Sequence, residues 1–183
     1  MATKTSVTTL AGMGMRLDTT LDSGHTLVMD TTEGNEGPRP AELIGAALAG
    51  CTAMDVISIL RKKRQDVRHY EVRASGTQRD EHPAMFTRID VVHEVDGGVD
   101  LDTEAVRRAI ELSATRYCSV GSTLMTGVTE IHHGYAICRG TSAPETGEVV
   151  VIGPEGYVLP ASPVAPGEPA PPPAAPATEP VSV

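Results

Sequence analysis

The side chains with the most reactive chemistry in this 183-residue sequence are three cysteines, Cys51, Cys118 and Cys138. A thiolate attacks oxidants, and two thiols that meet can close a disulfide. No two of the cysteines have the Cys-x-x-Cys spacing of a zinc site, and none has a histidine nearby in helical register. Redox chemistry is therefore a better hypothesis than metal binding, although spacing alone does not show which thiols meet.

Cys51 and Cys118 occupy positions that suit a reactive pair. Cys51 lies near the middle of a long apolar stretch. Cys118 stands at the predicted start of a short helix, where free backbone N–H groups favour a thiolate. Each of the two alone also fits the role of a small buried apolar residue, and for Cys138, on the last predicted strand, we keep that interpretation.

Charged residues around Cys51 are candidates for tuning its thiol. Burial disfavours a thiolate, so a buried cysteine needs a nearby cation, and that cation needs an acid to hold it. Asp55 lies four residues after Cys51, on the same helical face. It either anchors an arginine beside the thiol or closes a structural contact with a strand, and the sequence leaves both open.

The other candidates lie before Cys51 in the chain. On a regular helix Glu42 faces away from Cys51, whereas a helix beginning after Glu42 would bring it in. The candidate cations are Arg16, on an early hairpin, and Arg39, just ahead of the helix.

The element that must position Cys51 is a predicted long helix within Gly37 to Gln65. Pro40 suits a first helical position, and the basic run Arg61 to Arg64 suits the negative end of the helix dipole. Because the helix is apolar nearly all round, we expect it to be buried. A chain with one Phe and no Trp offers few large side chains to cover it, so an intertwined dimer would suit it.

The remaining pattern predicts an α+β domain with antiparallel sheets. His132 and His133 alternate across the last strand, so at most one of them can face a site, and the simpler expectation is that they lie on the sheet surface. Asp102 is a candidate cap of an amphipathic helix. The predicted strands are Thr5 to Leu10, Met13 to Thr19, His25 to Asp30, Val67 to Thr77, Phe86 to Val95 and Val128 to Cys138, and the further helices are Asp102 to Arg116 and Cys118 to Met125.

The composition changes near Gly140. Eleven of the fourteen prolines, and no Lys or Arg, lie in 141–183. We therefore predict a domain over 1–140 and a Pro/Ala-rich acidic tail over 141–183, extended in its last part. Within the tail, 148–159 has two apolar pieces around a turn signal, which fits a hairpin or a docking strand.

The net charge and the first residues of the chain indicate which partners and which compartment to expect. A formal net charge of -9 argues against nucleic acid as a partner. The first residues lack the apolar run of a secretory signal, so a cytoplasmic protein with reduced thiols is expected. Glu42 and Asp55 would be charges in lipid, which disfavours a membrane span for the long helix.

Two segments and the order of elements between them resemble a known family. The segments are GPRPAELIGAALAGCTAMDVISILRKKRQ and RYCSVGSTL, and over roughly residues 5–138 the chain resembles the OsmC and Ohr superfamily of thiol-dependent peroxidases. The resemblance implies a swapped homodimer with two central helices, and active sites at its interface.

The same resemblance implies a chemistry. Cys51 would attack the hydroperoxide and become a sulfenic acid, Cys118 would capture it as a disulfide, and a dithiol reductant would restore both thiols, with no metal, haem or flavin. The family uses an arginine and a glutamate beside the thiol. Here Ala41 stands where the glutamate is usual, and Asp55 departs from the peroxidase pattern. A non-catalytic relative that binds a small ligand, or whose thiols sense oxidants, is the alternative.

Overall fold

The computed structural model describes residues 6–127, 130–153 and 156–159. Thr5, Val128 and the chain beyond 159, on which parts of the predicted elements fall, lie outside these ranges. The elements in chain order are β1 (Ser6–Leu10), β2 (Leu17–Leu21), β3 (Thr26–Met29), α1 (Pro40–Lys62), β4 (Val67–Gln78), β5 (Phe86–Gly97), α2 (Thr103–Leu112), a π-helical turn (Ser113–Tyr117), α3 (Ser119–Leu124), β6 (Glu130–Arg139), β7 (Glu145–Gly153) and β8 (Gly156–Val158).

The long helix forms where the sequence predicts it. α1 starts at Pro40, whose fixed φ suits the first turn and whose missing N–H is not needed there. Arg61 and Lys62 occupy its last turn, at the negative end of the helix dipole. Within one protomer, only every fourth residue along one side of α1 is fully buried. The expectation that the helix is buried on every side is therefore not met by a single protomer. The fully buried residues of α1 are Leu48, Thr52, Val56 and Leu60.

The strands form two sheets. β1, β2 and β3 make a three-stranded antiparallel meander, and the second sheet has the order β4-β5-β6-β7-β8. Our expectation of purely antiparallel sheets is wrong at one pair, because β5 and β6 are parallel. α2, the π-turn and α3 return the chain across the sheet between these two strands, as a parallel connection requires.

The sheet extends past residue 140, where the sequence predicts the domain to end. β7 pairs with β6 along most of its length, and β8 pairs with β7 in antiparallel fashion. Val150 and Ile152 of β7 are fully buried or nearly so. The many prolines in 141–183 led to the prediction of a tail over that whole range, but the apolar residues of β7 complete the core.

The core between α1 and the five-stranded sheet consists of two apolar clusters. A layer of four fully buried polar residues, which we call the polar layer, crosses it. Along α1, for example, Thr52 lies between Leu48 of one cluster and Val56 of the other. The expectation that His133 lies on the sheet surface is wrong, because His133 shares the inward face of β6 with Ile131. The polar layer consists of Thr52, His93, Ser113 and His133.

The second amphipathic helix is shorter than predicted. α2 ends at Leu112, and the following five residues form a π-turn in which the Cys118 N–H donates to the Ser113 carbonyl at 2.8 Å. Asp102 caps α2 as expected, accepting from the N–H groups of Glu104 and Ala105. π-turns inside helices are often found at functional sites. This one sets the backbone of Cys118.

The outer surface of the protomer is unusually apolar in two places. The first is the β1–β3 sheet with its loop, where Val7 is 61% exposed and Met13 fully exposed. The second is the outer face of α1, where Met54 is 74% exposed. By length and composition α1 also passes a test for membrane-spanning helices, which core helices of soluble proteins pass as well.

Candidate active site

The centre of the candidate site is the pair Cys51 and Cys118. Cys51 is half-buried on α1, and Cys118 is buried where the π-turn meets α3. Cys51 packs against the apolar cluster that contains Cys118, the two thiols are close enough to affect each other, and neither is in a disulfide. The fold therefore brings together two residues that are far apart in sequence, which spacing alone could not establish.

Cys118 is held as a protonated thiol. Burial is the main cause that raises its pKa, to about 12, and the neighbouring Cys51 and Asp55 raise it further. The Gly121 N–H donates to the Cys118 sulfur at 3.3 Å and opposes this effect without overcoming it. One N–H at the start of α3, that of Gly121, does reach the sulfur, but burial outweighs it, so the expected thiolate is not favoured there.

Asp55 is tied to the π-turn by hydroxyl groups. The Ser113 hydroxyl donates to Asp55 Oδ2 at 3.0 Å, and Thr52 Oγ1 lies 2.9 Å from Ser113 Oγ. Because Ser113 has only one hydroxyl proton, Thr52 must donate to Ser113. The three side chains form a directed chain of hydrogen bonds that ends on the carboxylate next to the thiol pair.

The predicted arginine partner of Asp55 is not found within one protomer. Among the described residues no lysine or arginine forms an ion pair with Asp55, and Ser113 takes that place. Arg39 pairs instead with Glu42 at 2.5 Å, and Glu42 also accepts from the Arg39 backbone N–H at 2.9 Å. α1 is regular from Pro40 onward, so Glu42 caps the helix start and is not brought round to the thiol.

Arg16 also lies in a local ion-pair group. It contacts Glu36 at 2.5 Å and Asp18 at 3.2 Å, at the edge of the β1–β3 sheet. Both carboxylates raise its pKa, Glu36 first, and the group is exposed. Such exposed pairs contribute little to stability, so they do not fix Arg16 in this position.

The two histidines of the polar layer, His93 and His133, form a row of stacked rings with Tyr70. The Tyr70 hydroxyl lies 2.8 Å from His93 Nδ1, and the His93 ring stacks on that of His133 at 6.0 Å. Burial lowers the pKa of His93 to about 3 and that of His133 to about 4, so both rings are neutral at neutral pH. Burial and then the charge of Asp55 raise the pKa of Tyr70, which therefore donates to His93.

A cavity of about 470 Å³ opens beside the first half of α1. Small side chains leave this space between the helix and strands β4 and β5, and Glu42 and Gln78 supply its polar groups. The other lining residues include Ala41, Gly45, Ala46, Ala49, Ala74 and Phe86. Its size and largely apolar lining fit a small ligand. No group of three or more potential metal ligands occurs in the part of the chain that the structure describes.

Sequence reasoning missed Ser113, Thr52, Tyr70 and His93. Thr52 interrupts the buried stripe of α1 at a position that should be apolar. Ser113 follows Ala109 and Ile110 in helical spacing, on the apolar side of α2. A polar residue on an apolar stripe must find a partner inside the protein, and that signal was available for these two residues.

Comparison with known proteins places this fold. The OsmC-like protein family matches residues 33–132. Protein YhfA of Escherichia coli is 44% identical over 115 residues, covering 63% of this chain and 84% of YhfA. A structure from structural genomics is 36% identical, with a TM-score of 0.68 over 74% of this chain and 99% of that chain.

An organic hydroperoxide resistance protein from Elizabethkingia anophelis shares the fold at 14% identity. Its TM-score is 0.54, over 76% of this chain and 98% of that protein. The family match includes all of α1 and extends to β6, so it contains both Cys51 and Cys118. The chain belongs to the OsmC-like family.

Proposed function

We propose that the protein reduces organic hydroperoxides or hydrogen peroxide with Cys51 as the attacking thiol and Cys118 as the resolving thiol. The observation that carries the proposal is that the fold packs Cys51 against the apolar cluster that contains Cys118, close enough for the two thiols to affect each other. Cys51 is the more accessible of the two thiols, which suits the attacking role, and Cys118 is buried. A structural neighbour from Elizabethkingia anophelis is described as an organic hydroperoxide resistance protein, which agrees with this chemistry.

The proposed reaction balances in three steps. The Cys51 thiolate attacks the terminal oxygen of ROOH, the O–O bond breaks, and with one proton the products are a Cys51 sulfenic acid and ROH. The Cys118 thiol then attacks the sulfenic sulfur, which forms the disulfide and releases water. A dithiol reductant restores both thiols and itself becomes a disulfide. This cycle takes place in a reducing compartment such as the cytoplasm.

The proposal includes a homodimer. The outer face of α1 and the β1–β3 sheet expose apolar side chains of a kind that monomers usually cover. A second copy would bury both surfaces. In the dimer, Arg16 or Arg39 would supply the cation that a reactive Cys51 needs. Either arginine can leave its carboxylate partner in the protomer at little cost, because both ion pairs are exposed.

A second function is favoured by the cavity beside α1. Its apolar lining, together with the missing cation beside Cys51 in one protomer, fits a protein that binds a small apolar ligand. In that case the thiol pair has a structural or sensing role and does not turn over. The sensing form of this alternative still predicts oxidation of Cys51, whereas the binding form does not.

Mass spectrometry after about one equivalent of tert-butyl hydroperoxide tests the proposal. The unaltered protein should lose two hydrogens as the Cys51–Cys118 disulfide forms. Cys118→Ser should instead accumulate a sulfenic acid on Cys51 that a dimedone probe captures, and Cys51→Ser should remain reduced. Cys138→Ser is the matched control, because this third cysteine lies on β6 and should leave the reaction unchanged.

Repeated turnover with dithiothreitol then separates a catalyst from a sensor. A peroxidase consumes peroxide in excess of protein, and the rate falls to background in Cys51→Ser. An unaltered protein with both thiols still reduced after peroxide would contradict the peroxidase and the sensor alike. Binding of a fluorescent fatty acid without thiol oxidation would then support the ligand-binding alternative.

A further inference from the structure

We propose that Asp55 accepts the proton of the Cys118 thiol when the Cys51–Cys118 disulfide closes. The inference deepens the proposed function, since it concerns the second step of that reaction. It starts from a chemical need: Cys118 is a buried, protonated thiol, and a thiol must lose its proton to attack the sulfur of Cys51. A general base must therefore lie close to it.

Asp55 is held where such a base is needed. It lies one helical turn after Cys51 on α1, and its charge acts on the Cys118 thiol. The Ser113 hydroxyl occupies Oδ2 at 3.0 Å, and among the described residues no hydrogen bond is made to Oδ1. One carboxylate oxygen is thus anchored, while the other keeps its lone pairs for a proton.

Ser113 couples the base to the thiol that it serves. Its side chain holds the carboxylate of Asp55, and its backbone carbonyl accepts the Cys118 N–H at 2.8 Å across the π-turn. Thr52 donates to Ser113 and fixes the direction of the hydroxyl proton toward Asp55. Ser113 and Thr52 are therefore positioning residues, and they are fully buried, so water does not compete for their hydrogen bonds.

The proton transfer balances within the site. Cys118 gives its proton to the carboxylate as its sulfur bonds to the sulfur of Cys51, and the Cys51 sulfur loses hydroxide. Asp55 then returns the proton to the hydroxide, which leaves as water, and the carboxylate is restored. Before the first step Cys118 stays protonated mainly because it is buried, and the charge of the same carboxylate adds to this effect.

Among the described residues, three titratable groups lie near Asp55. They are Cys51, one turn earlier on α1, and Cys118 and Tyr70, on which the charge of Asp55 acts. The Asp55 charge helps to raise the pKa of Tyr70, which donates to His93 and has no free proton acceptor to offer the thiols. The Asp55 carboxylate is the member of this group with an anchored position and an oxygen left to accept the proton.

The experiment closes the disulfide without peroxide, in a Cys138→Ser background. The reagent 5,5′-dithiobis(2-nitrobenzoic acid) forms a mixed disulfide on Cys51 and releases one coloured thiolate. Cys118 then displaces the second thiolate and releases one proton. The two releases are followed by absorbance in stopped flow over a range of pH. Cys118→Ser should show the first release alone, which assigns the second release to Cys118.

Asp55→Asn keeps an oxygen for Ser113 but removes the base. We expect the second release to slow by about tenfold or more near neutral pH, with the first release not slowed. Its rate should also rise about tenfold per pH unit, because the thiol must then ionise unaided, whereas the unaltered protein should show a flatter profile. Asp55→Glu should restore part of the rate. Asp100→Asn, an exposed carboxylate before α2, is the matched control.

Equal closure rates and equal pH profiles in Asp55→Asn and the unaltered protein would overturn the inference. If Asp55→Asn does not fold, Ser113→Ala decides: the carboxylate remains but is no longer anchored, so closure should slow by a smaller factor, and an unchanged rate would contradict the inference. A protein that ignores peroxide would contradict the proposed function, while the disulfide reagent would still decide the role of Asp55.

Discussion

The two sheets of the molecule differ in what covers them. One face of the five-stranded sheet is sealed by α1 and α2, and its inward residues are almost completely buried. The β1–β3 sheet buries one strand residue, Thr19, and leaves Val7, Leu10 and Leu21 exposed. Sequence alternation is similar in both sheets, so the difference lies in their neighbours. The first sheet completes its core within the chain, whereas the second has apolar surface suited to a second copy.

Truncation should produce the largest contrast between the two sheets. Ending the chain after Gly140 removes β7 and with it Val150 and Ile152, two side chains buried in the core of the five-stranded sheet. Each such loss costs about 2 to 5 kcal/mol, and small domains are stable by only about 5 to 15 kcal/mol. We expect this variant not to fold, as measured by circular dichroism and by thermal unfolding.

A chain ended after Leu159 is the matched comparison. It keeps β7 and β8, and its melting temperature should lie within about 2 °C of that of the full chain. A folded protein that ends at Gly140, with thiols that still react, would show that β7 is an accessory strand and that the core closes without it.

β7 shows which parts of the fold can be predicted from local sequence patterns and which cannot. Local patterns predicted α1, the cap at Asp102 and most strand positions, because these depend on neighbouring residues. The parallel pairing of β5 with β6 and the insertion of β7 depend on contacts between distant segments. Prolines that follow β7 masked its apolar character in a count over the whole region.

Acid should destabilise the five-stranded sheet through its buried imidazoles. The pKa of His133 falls from 6.5 to about 4 on folding because burial disfavours the charged ring and His132 adds repulsion. Below pH 6.5 the unfolded chain therefore binds a proton that the folded chain does not, and stability falls until about pH 4. At pH 5 the loss is about 2 kcal/mol for each such histidine. His93 behaves in the same way, with a pKa of about 3.

His133→Leu tests this in urea unfolding at about pH 7.5 and about pH 5. The difference in unfolding free energy between the two pH values should shrink by about 2 kcal/mol relative to the unaltered protein. His25→Gln is the control, because His25 is exposed beside the β1–β3 sheet and should change nothing. An undiminished acid effect in His133→Leu would mean that the ring is hydrated or protonated in the folded state.

The candidate site was predictable only in part for the same reason as the fold. The family resemblance supplied the expected roles of Cys51 and Cys118, and helical spacing placed Asp55 on the face of Cys51. The partner of Asp55 comes from the π-turn, a local irregularity that a regular α2 would not produce. Neither partner that the sequence suggested for Asp55, an arginine or a strand, is the one that it has in the protomer, which is a hydroxyl 58 residues later in the chain.

The smallest effect concerns the uncovered surfaces. If a second copy covers the outer face of α1, unfolding depends on concentration, and a tenfold dilution should lower the apparent stability by about 1.4 kcal/mol. Met54, 74% exposed in the protomer, is the side chain to change. Met54→Lys should leave an isolated protomer within about 0.5 kcal/mol of its original stability but weaken association, because a charge would lose water at the interface. Light scattering measures the association of protomers, and unfolding at several concentrations measures the stability and its dependence on concentration.

Val99→Lys, at the similarly exposed Val99 in the β5–α2 loop, is the control and should not alter the concentration dependence. A monomer with a concentration-independent midpoint would show that the apolar face of α1 stays in water. The cation beside Cys51 would then have to come from the same chain.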